Sequence, residues 1–197
     1  MTNFETTAPI TTVLDIPAGL VQLIASDRSD TAVDVRPVNA SSSRDVKAAE
    51  QTQVSFTDGV LRIKGAAGTL GPSGSVEVTV QLPTGSRVEA KAASVEFRGV
   101  GKLGDIAFEA AQSDIKIDEA GAVRVTTQAG DVFVGRLNGS AEISTQKGDI
   151  TVATSLSASL DAGTSYGRIT NSLKNNGTTD VAIRATTAYG DITATSL

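Results

Sequence analysis

The sequence predicts an all-β protein whose larger part is a parallel β-solenoid of about six rungs, preceded by an irregular, partly antiparallel N-terminal β-region. Three observations carry that expectation. The first is a pattern that repeats: Thr126-Thr127-Gln128-Ala129-Gly130-Asp131-Val132 returns as Ser144-Thr145-Gln146-Lys147-Gly148-Asp149-Ile150. It returns again as Gly163-Thr164-Ser165-Tyr166-Gly167-Arg168-Ile169 and as Thr186-Thr187-Ala188-Tyr189-Gly190-Asp191-Ile192, so the turn glycines lie 18, 19 and 23 residues apart. The second is the interior the composition allows: 40% of residues are hydrophobic but only 4% aromatic, with one Met and no Trp. Val, Ile, Leu and Ala must therefore fill the core, and small branched side chains suit a narrow, regular one. The third is 19 Gly against 5 Pro, which reads as many turns between short strands.

Taken in order, the first third carries alternating apolar strands at Ile10–Ile16, Leu20–Ala25, Ala32–Val38, Gln53–Phe56 and Val60–Lys64. Asp58-Gly59 separates the last two, and a type I′ turn needs positive φ at both of its central residues, so Val54–Lys64 is expected to be a hairpin. Asn39–Gln51 is polar, with a helix-compatible Asp45–Glu50 stretch, and reads as a long loop with one helical turn. Gly65–Gly74 is Gly-rich and turn-like; Ser75–Leu82 is an alternating strand stopped by Pro83, Thr84 and Gly85. Residues 1–86 thus form an N-terminal β-region and cap, and residues 87–197 the solenoid, in one continuous body.

From Ala90 each unit holds two alternating segments, such as Val123–Val125 and Val132–Val134, with a turn between them at the Gly-Asp pair. Ser113-Asp114-Ile115 and Ser94-Val95-Glu96 occupy the same slot in two fainter upstream copies, which makes about six units. A lone unit cannot bury its apolar face. Stacking at ~4.8 Å creates an aliphatic column and pairs the backbone groups, for a rod of roughly 25–30 Å. The expected inward set runs from Val95 and Phe97 through Ile115, Val132 and Ile150 to Leu160, Ile169, Val181 and Ile192. An antiparallel meander or barrel is the rival architecture, but similarity returns at double the strand spacing, as two unlike faces per coil require.

From the strand closed by Leu82-Pro83-Thr84-Gly85, through the Thr-Thr-Gln-Ala-Gly-Asp-Val repeats, to the C-terminus, the chain resembles a bacterial family of uncharacterised β-strand-repeat proteins that carry the label adhesin. The resemblance implies a right-handed parallel β-solenoid after a more irregular β-region. The adhesin label is an analogy from shape and implies no chemistry.

Composition narrows the function classes. With no Cys and no His, thiol nucleophiles, imidazole bases and the usual zinc sites are excluded. Seventeen basic against 22 acidic residues give a net charge of −5 with no Lys/Arg cluster, so nucleic acid is not an expected partner. Met1–Leu20 has neither a basic n-region nor an apolar h-region, and no stretch is long enough to cross a bilayer; the chain as given is expected in the cytoplasm, without membrane insertion, and surface association stays open because a processed form would look the same.

Two sets of residues invite a functional reading. The Asp after the turn Gly recurs at Asp131, Asp149 and Asp191, with Asp114 in a weaker copy. Stacked ~4.8 Å apart, two carboxylates repel by about 1 kcal/mol in water, so such a row needs solvent, a counter-charge or a cation; Arg168 is expected in the slot between Asp149 and Asp191. A calcium ladder is one reading. The other is that Gly supplies positive φ and Asp bonds nearby backbone N–H groups, with no cofactor. Asp131 with Asp149 could also serve glycoside cleavage, against which stand the few aromatics and the repeat-wide placement. Tyr166 and Tyr189 share one repeat position and, with Arg168, are the candidate ligand-binding residues; the competing reading is packing that stiffens an end. Because the last repeat runs to Leu197, the final rung is expected to lack a cover, which a second copy could supply. The expected function is a non-catalytic structural or interaction module that self-associates or binds protein through solenoid faces and ends. The alternatives are adhesin-like binding of a carbohydrate or surface, and a carbohydrate-active enzyme.

Overall fold

In the computed structural model, residues 1–66 and 73–197 are described. In chain order the strands are β1 Thr2–Glu5, β2 Thr11–Ser26 and β3 Asp30–Pro37; then come helix α1 Ser43–Gln51, β4 Gln53–Thr57, β5 Val60–Lys64, β6 Val76–Pro83 and β7 Arg87–Lys102. The repeats follow as β8 Ile106–Gln112, β9 Ile115–Ala120, β10 Val123–Ala129, β11 Val132–Leu137, β12 Ala141–Ser144, β13 Ile150–Thr154, β14 Ala158–Tyr166, β15 Ile169–Ser172, β16 Val181–Tyr189 and β17 Ile192–Ser196. The turn expected at Gly65–Gly74 lies largely outside the described residues.

The repeats stack as parallel coils, as the doubled period requires. Val123 of β10 sits in register with Ile106 of β8 on one side and Ala141 of β12 on the other. On the second face Val132 of β11 lies between Ile115 of β9 and Ile150 of β13. Alternate residues point inward, so Ile115, Ile117, Val132, Val134, Ile150 and Val152 form continuous columns that are almost wholly buried.

Where the sequence suggested separate strands before and after Pro17, β2 is one strand that carries both faces around the corner. Its first half pairs with β5 and its second with β6, while β7 lies along its whole length. The corner is tight at Gly19, whose φ is +133° and where a Cβ would stand 1.9 Å from the Val76 carbonyl oxygen. The expected hairpin is present: β4 and β5 pair antiparallel across Asp58 and Gly59, with φ of 51° and 74°. Helix α1 runs two turns rather than the single turn expected; the Ser42 side chain caps it by accepting from the Asp45 N–H.

Stacking order differs from chain order at both ends. From one end to the other the rungs are β5/β6, β2, β7, β8/β9, β10/β11, β12/β13, β16/β17 and β14/β15. The last coil of the sequence is therefore internal: β16 lies between β12 and β14, and β17 between β13 and β15. Since all these strands stay parallel, the 172–181 connection advances down the stack while its neighbours advance up it, and it has the opposite hand. The rung expected to lack a cover is thus covered. The outermost position belongs to β14/β15, which explains why Leu160 is only half-buried and why Ile169, expected inside, is 44% exposed.

Side chains on the outward surface match this order. Arg124, Glu142, Arg184 and Asp161 stand in one register, with ion pairs of 2.8 Å for Arg124–Glu142 and 3.2 Å for Arg184–Asp161. In chain order Glu142 would face Asp161, and like charges directly opposite are unfavourable. Among the described residues no helix is long and apolar enough to cross a membrane.

Candidate interaction site

The repeated Gly-Asp corner is built by backbone crowding. Gly130, Gly148 and Gly190 have φ of 122°, 147° and 152°, and a Cβ on any of them would stand 2.1 Å from the carbonyl oxygen of the rung beneath. Gly167 completes the column, with a Cβ position 1.8 Å from the Gly190 oxygen. The four glycines therefore lie on one corner. In three of the four repeats the threonine at the second position is buried beside it: Thr127 and Thr145 hydroxyls donate to the Ala129 and Lys147 carbonyls, and Thr187 to Gly148, at 3.0, 3.3 and 3.1 Å.

Each aspartate reaches along the stack rather than to its own turn. Asp114 Oδ1 accepts the Asp131 N–H at 3.1 Å, Asp131 Oδ1 the Asp149 N–H at 2.8 Å, and Asp149 Oδ1 the Asp191 N–H at 2.7 Å. The ladder ends where Asp191 Oδ1 accepts the Arg168 N–H at 2.7 Å. Arg168 is thus the terminal member, not the link between Asp149 and Asp191 that chain order suggested. On the outermost rung there is no further N–H to accept, so a carboxylate has no partner to serve there. Sequence reading missed the same device at another corner, where Asp105 Oδ1 accepts the Ala122 N–H at 3.0 Å; the Gly104-Asp105 pair was the available signal. Among the described residues no group of three or more acidic side chains is placed to hold one metal ion.

Removing one rung of this ladder has a modest expected cost. Asp149→Ala leaves the Asp191 N–H to solvent and should lower stability by about 1 kcal/mol, whereas Asp149→Asn keeps an acceptor oxygen and should lower it by less. Chemical denaturation of the two variants checks the order; equal losses would show that the oxygen is not what matters.

At the outermost end the tyrosines meet. Tyr166 and Tyr189 are in register on adjacent strands, with ring centroids 4.9 Å apart and planes 4° from parallel. Both are open to solvent, at 68% and 57% exposure, and Ile169 lies just past the turn from Tyr166. Lys147 and then Ala129 continue the column inward, so the aromatic ladder is two rings long. Thr164 Oγ1 donates to the Gly190 carbonyl at 3.0 Å and ties this corner to the rung below. Elsewhere, a surface depression of about 430 Å³ is lined by Arg87, Asp105, Arg124 and Glu142, whose charges already pair with one another at 3.8 and 2.8 Å.

A stack of parallel coils, held by backbone-capping carboxylates and presenting an exposed aromatic pair at one end, defines a protein of the parallel β-strand-repeat class. Residues 11–196 match the Toastrack DUF4097 family, and the chain belongs to it. No curated protein matches the sequence. Among solved structures it is similar to a "putative cell adhesion protein" from Clostridium sporogenes, at 14% identity and a TM-score of 0.56, covering 100% of this chain and 98% of that one. It also matches proteins described as a "putative adhesin" from Bacteroides fragilis, at 12% identity, 98% and 95% coverage and a TM-score of 0.36, and from Parabacteroides merdae, at 10% identity, 100% and 93% coverage and a TM-score of 0.31.

Proposed function

We propose that this chain is a non-catalytic interaction module that binds protein through its solenoid faces and, above all, through the β14/β15 end. The observation that carries this reading is the gathering of Tyr166, Tyr189 and Ile169, three of the seven exposed large hydrophobic side chains among the described residues, at one corner of the outer two rungs. Exposed apolar groups gathered in this way mark interaction surfaces, and tyrosine is enriched among the residues that dominate binding energy. Arg168 adds a cation beside them. A comparison of proteins retained from the native cell by the wild type and by a Tyr166→Ser, Tyr189→Ser double variant tests the reading. Species retained by the wild type and lost from the variant are expected; an identical set on both would remove it.

Adhesin-like binding of a carbohydrate or a surface is the second reading, favoured by the exposure of the Tyr166 ring and by the cell-adhesion name of the similar Clostridium sporogenes protein. On a glycan array it requires signal that falls with Tyr166→Ser. For a carbohydrate-active enzyme the pair is Asp131 and Asp149, but one oxygen of each accepts a backbone N–H of the next rung, which favours a structural link between rungs for both.

A further inference from the structure

We propose that two copies of this chain pair end to end through the β14/β15 rung, about a two-fold axis normal to the two solenoid faces. The inference rests on reading that end as the interaction surface and names its occupant as a second copy.

Among the described residues both strands of the rung have a neighbouring strand on one side only, β16 for β14 and β17 for β15. At Ala158 the edge is taken by the Lys174 carbonyl oxygen and the Asn175 side chain, and beyond it the strand leaves backbone N–H and C=O groups facing outward. Edges of this kind are usually blunted by lysine, proline or a bulge. The nine residues of β14 contain no Lys, Arg or Pro, and its register with β16 is unbroken from Ala158 to Thr164. Its one charge, Asp161, is taken up by Arg184.

Charge favours a second copy over a repelled one. The chain as a whole carries −5, whereas residues 155–180 carry Asp161, Arg168, Lys174 and Asp180, two of each sign. Two such ends meet without the net repulsion that two faces of this acidic protein would feel. An antiparallel β14–β14 pairing centred on Gly163 sets Asp161 opposite Ser165 and Leu160 opposite Tyr166, so no like charges oppose. The same axis brings β15 antiparallel to its counterpart.

The other end of the stack is closed in a different way, which decides between a pair and a filament. There β1 and β4 turn back antiparallel, Phe4 and Phe56 meet with ring centroids 5.4 Å apart, and α1 packs against β3 and β6. A parallel rung offered to that end finds no matching register. Head-to-tail growth is therefore disfavoured, and an isologous, closed dimer remains.

The test is the mass of the full chain in solution over a concentration series, by light scattering or sedimentation. A reversible monomer–dimer equilibrium is expected, weakened roughly tenfold or more by Leu160→Lys and by Tyr166→Lys, because each places a charge in the contact of both copies. Circular dichroism checks that the variants fold; should Leu160→Lys fail to, the exposed Tyr166→Lys and the exchange of β14 amides, which should slow as concentration rises, still decide. A monomer at every concentration, an open-ended assembly, or a dimer indifferent to a folded variant overturns the proposal. A monomer that still loses retained proteins on Tyr166→Ser, Tyr189→Ser substitution sinks self-pairing and leaves the interaction reading standing; no dimer and no lost species would sink both.

Discussion

Deletion of residues 180–197 is expected to release two coils, not one. Among the described residues β14 and β15 have no strand partner other than β16 and β17, so the coil at 158–172 is paired to the body only through the coil that follows it in sequence. With β16 and β17 gone, the competing outcome is that 158–172 slides down onto β12/β13. That move would set Asp161 opposite Glu142, where Arg184 now stands between them, and the like charges oppose it. Hydrogen exchange read by mass spectrometry should show amide protection across 159–172 dropping to near that of an unfolded segment, while 106–137 stays protected. Retained protection at 159–172 would show that the rungs can re-register, and that stacking order is not fixed by side chains.

Substituting one turn glycine is expected to cost more than any single surface change. In Gly148→Ala the new Cβ stands 2.1 Å from the Gly130 carbonyl oxygen and 2.6 Å from its carbon, and the obstacle is backbone that is itself fixed by the next rung. The φ of +147° adds strain of its own. Together these should destabilise the protein by about 3 kcal/mol or more, a fall in Tm of roughly 10 °C. Gly163→Ala is the control, because nothing lies within 4 Å of its Cβ position and the backbone there is ordinary. It should change stability by no more than about 1 kcal/mol, in the stabilising direction. Equal melting temperatures for the two variants would mean that the corner yields, and the column of glycines would lose its explanation.

Much of this architecture was legible in the sequence because it is written in local, repeated chemistry. The doubled period gave the two faces, the Asp58-Gly59 pair gave the hairpin, and the recurring Gly-Asp corner gave the stacked column that Gly130, Gly148, Gly167 and Gly190 form. The tyrosine pair followed from a shared repeat position. What was misread was the order of the rungs: it put Arg168 between two aspartates and Ile169 inside. Yet three residues mark the 158–172 coil as the outer one. Arg168 breaks the aspartate ladder where no further N–H needs an acceptor, and Asp161 would clash with Glu142 one position inward. Asn171, an exposed residue whose Oδ1 accepts the Leu173 N–H, occupies the slot held by Val152 and Ala194 in the covered coils. Each signal is a mismatch between neighbours, and it becomes visible only when two orders are compared.

The sequence by itself determined the coil: its length, its two strands, its corner and which side chains face inward, because these follow from the two-residue alternation of a strand and the backbone freedom of glycine. Only the tertiary structure decided which coil lies on which, and so which end is open. Every coil offers nearly the same row of backbone groups to any other; the choice falls to charge, burial of a single amide and the presence of a next rung, which exist only between coils far apart in the chain.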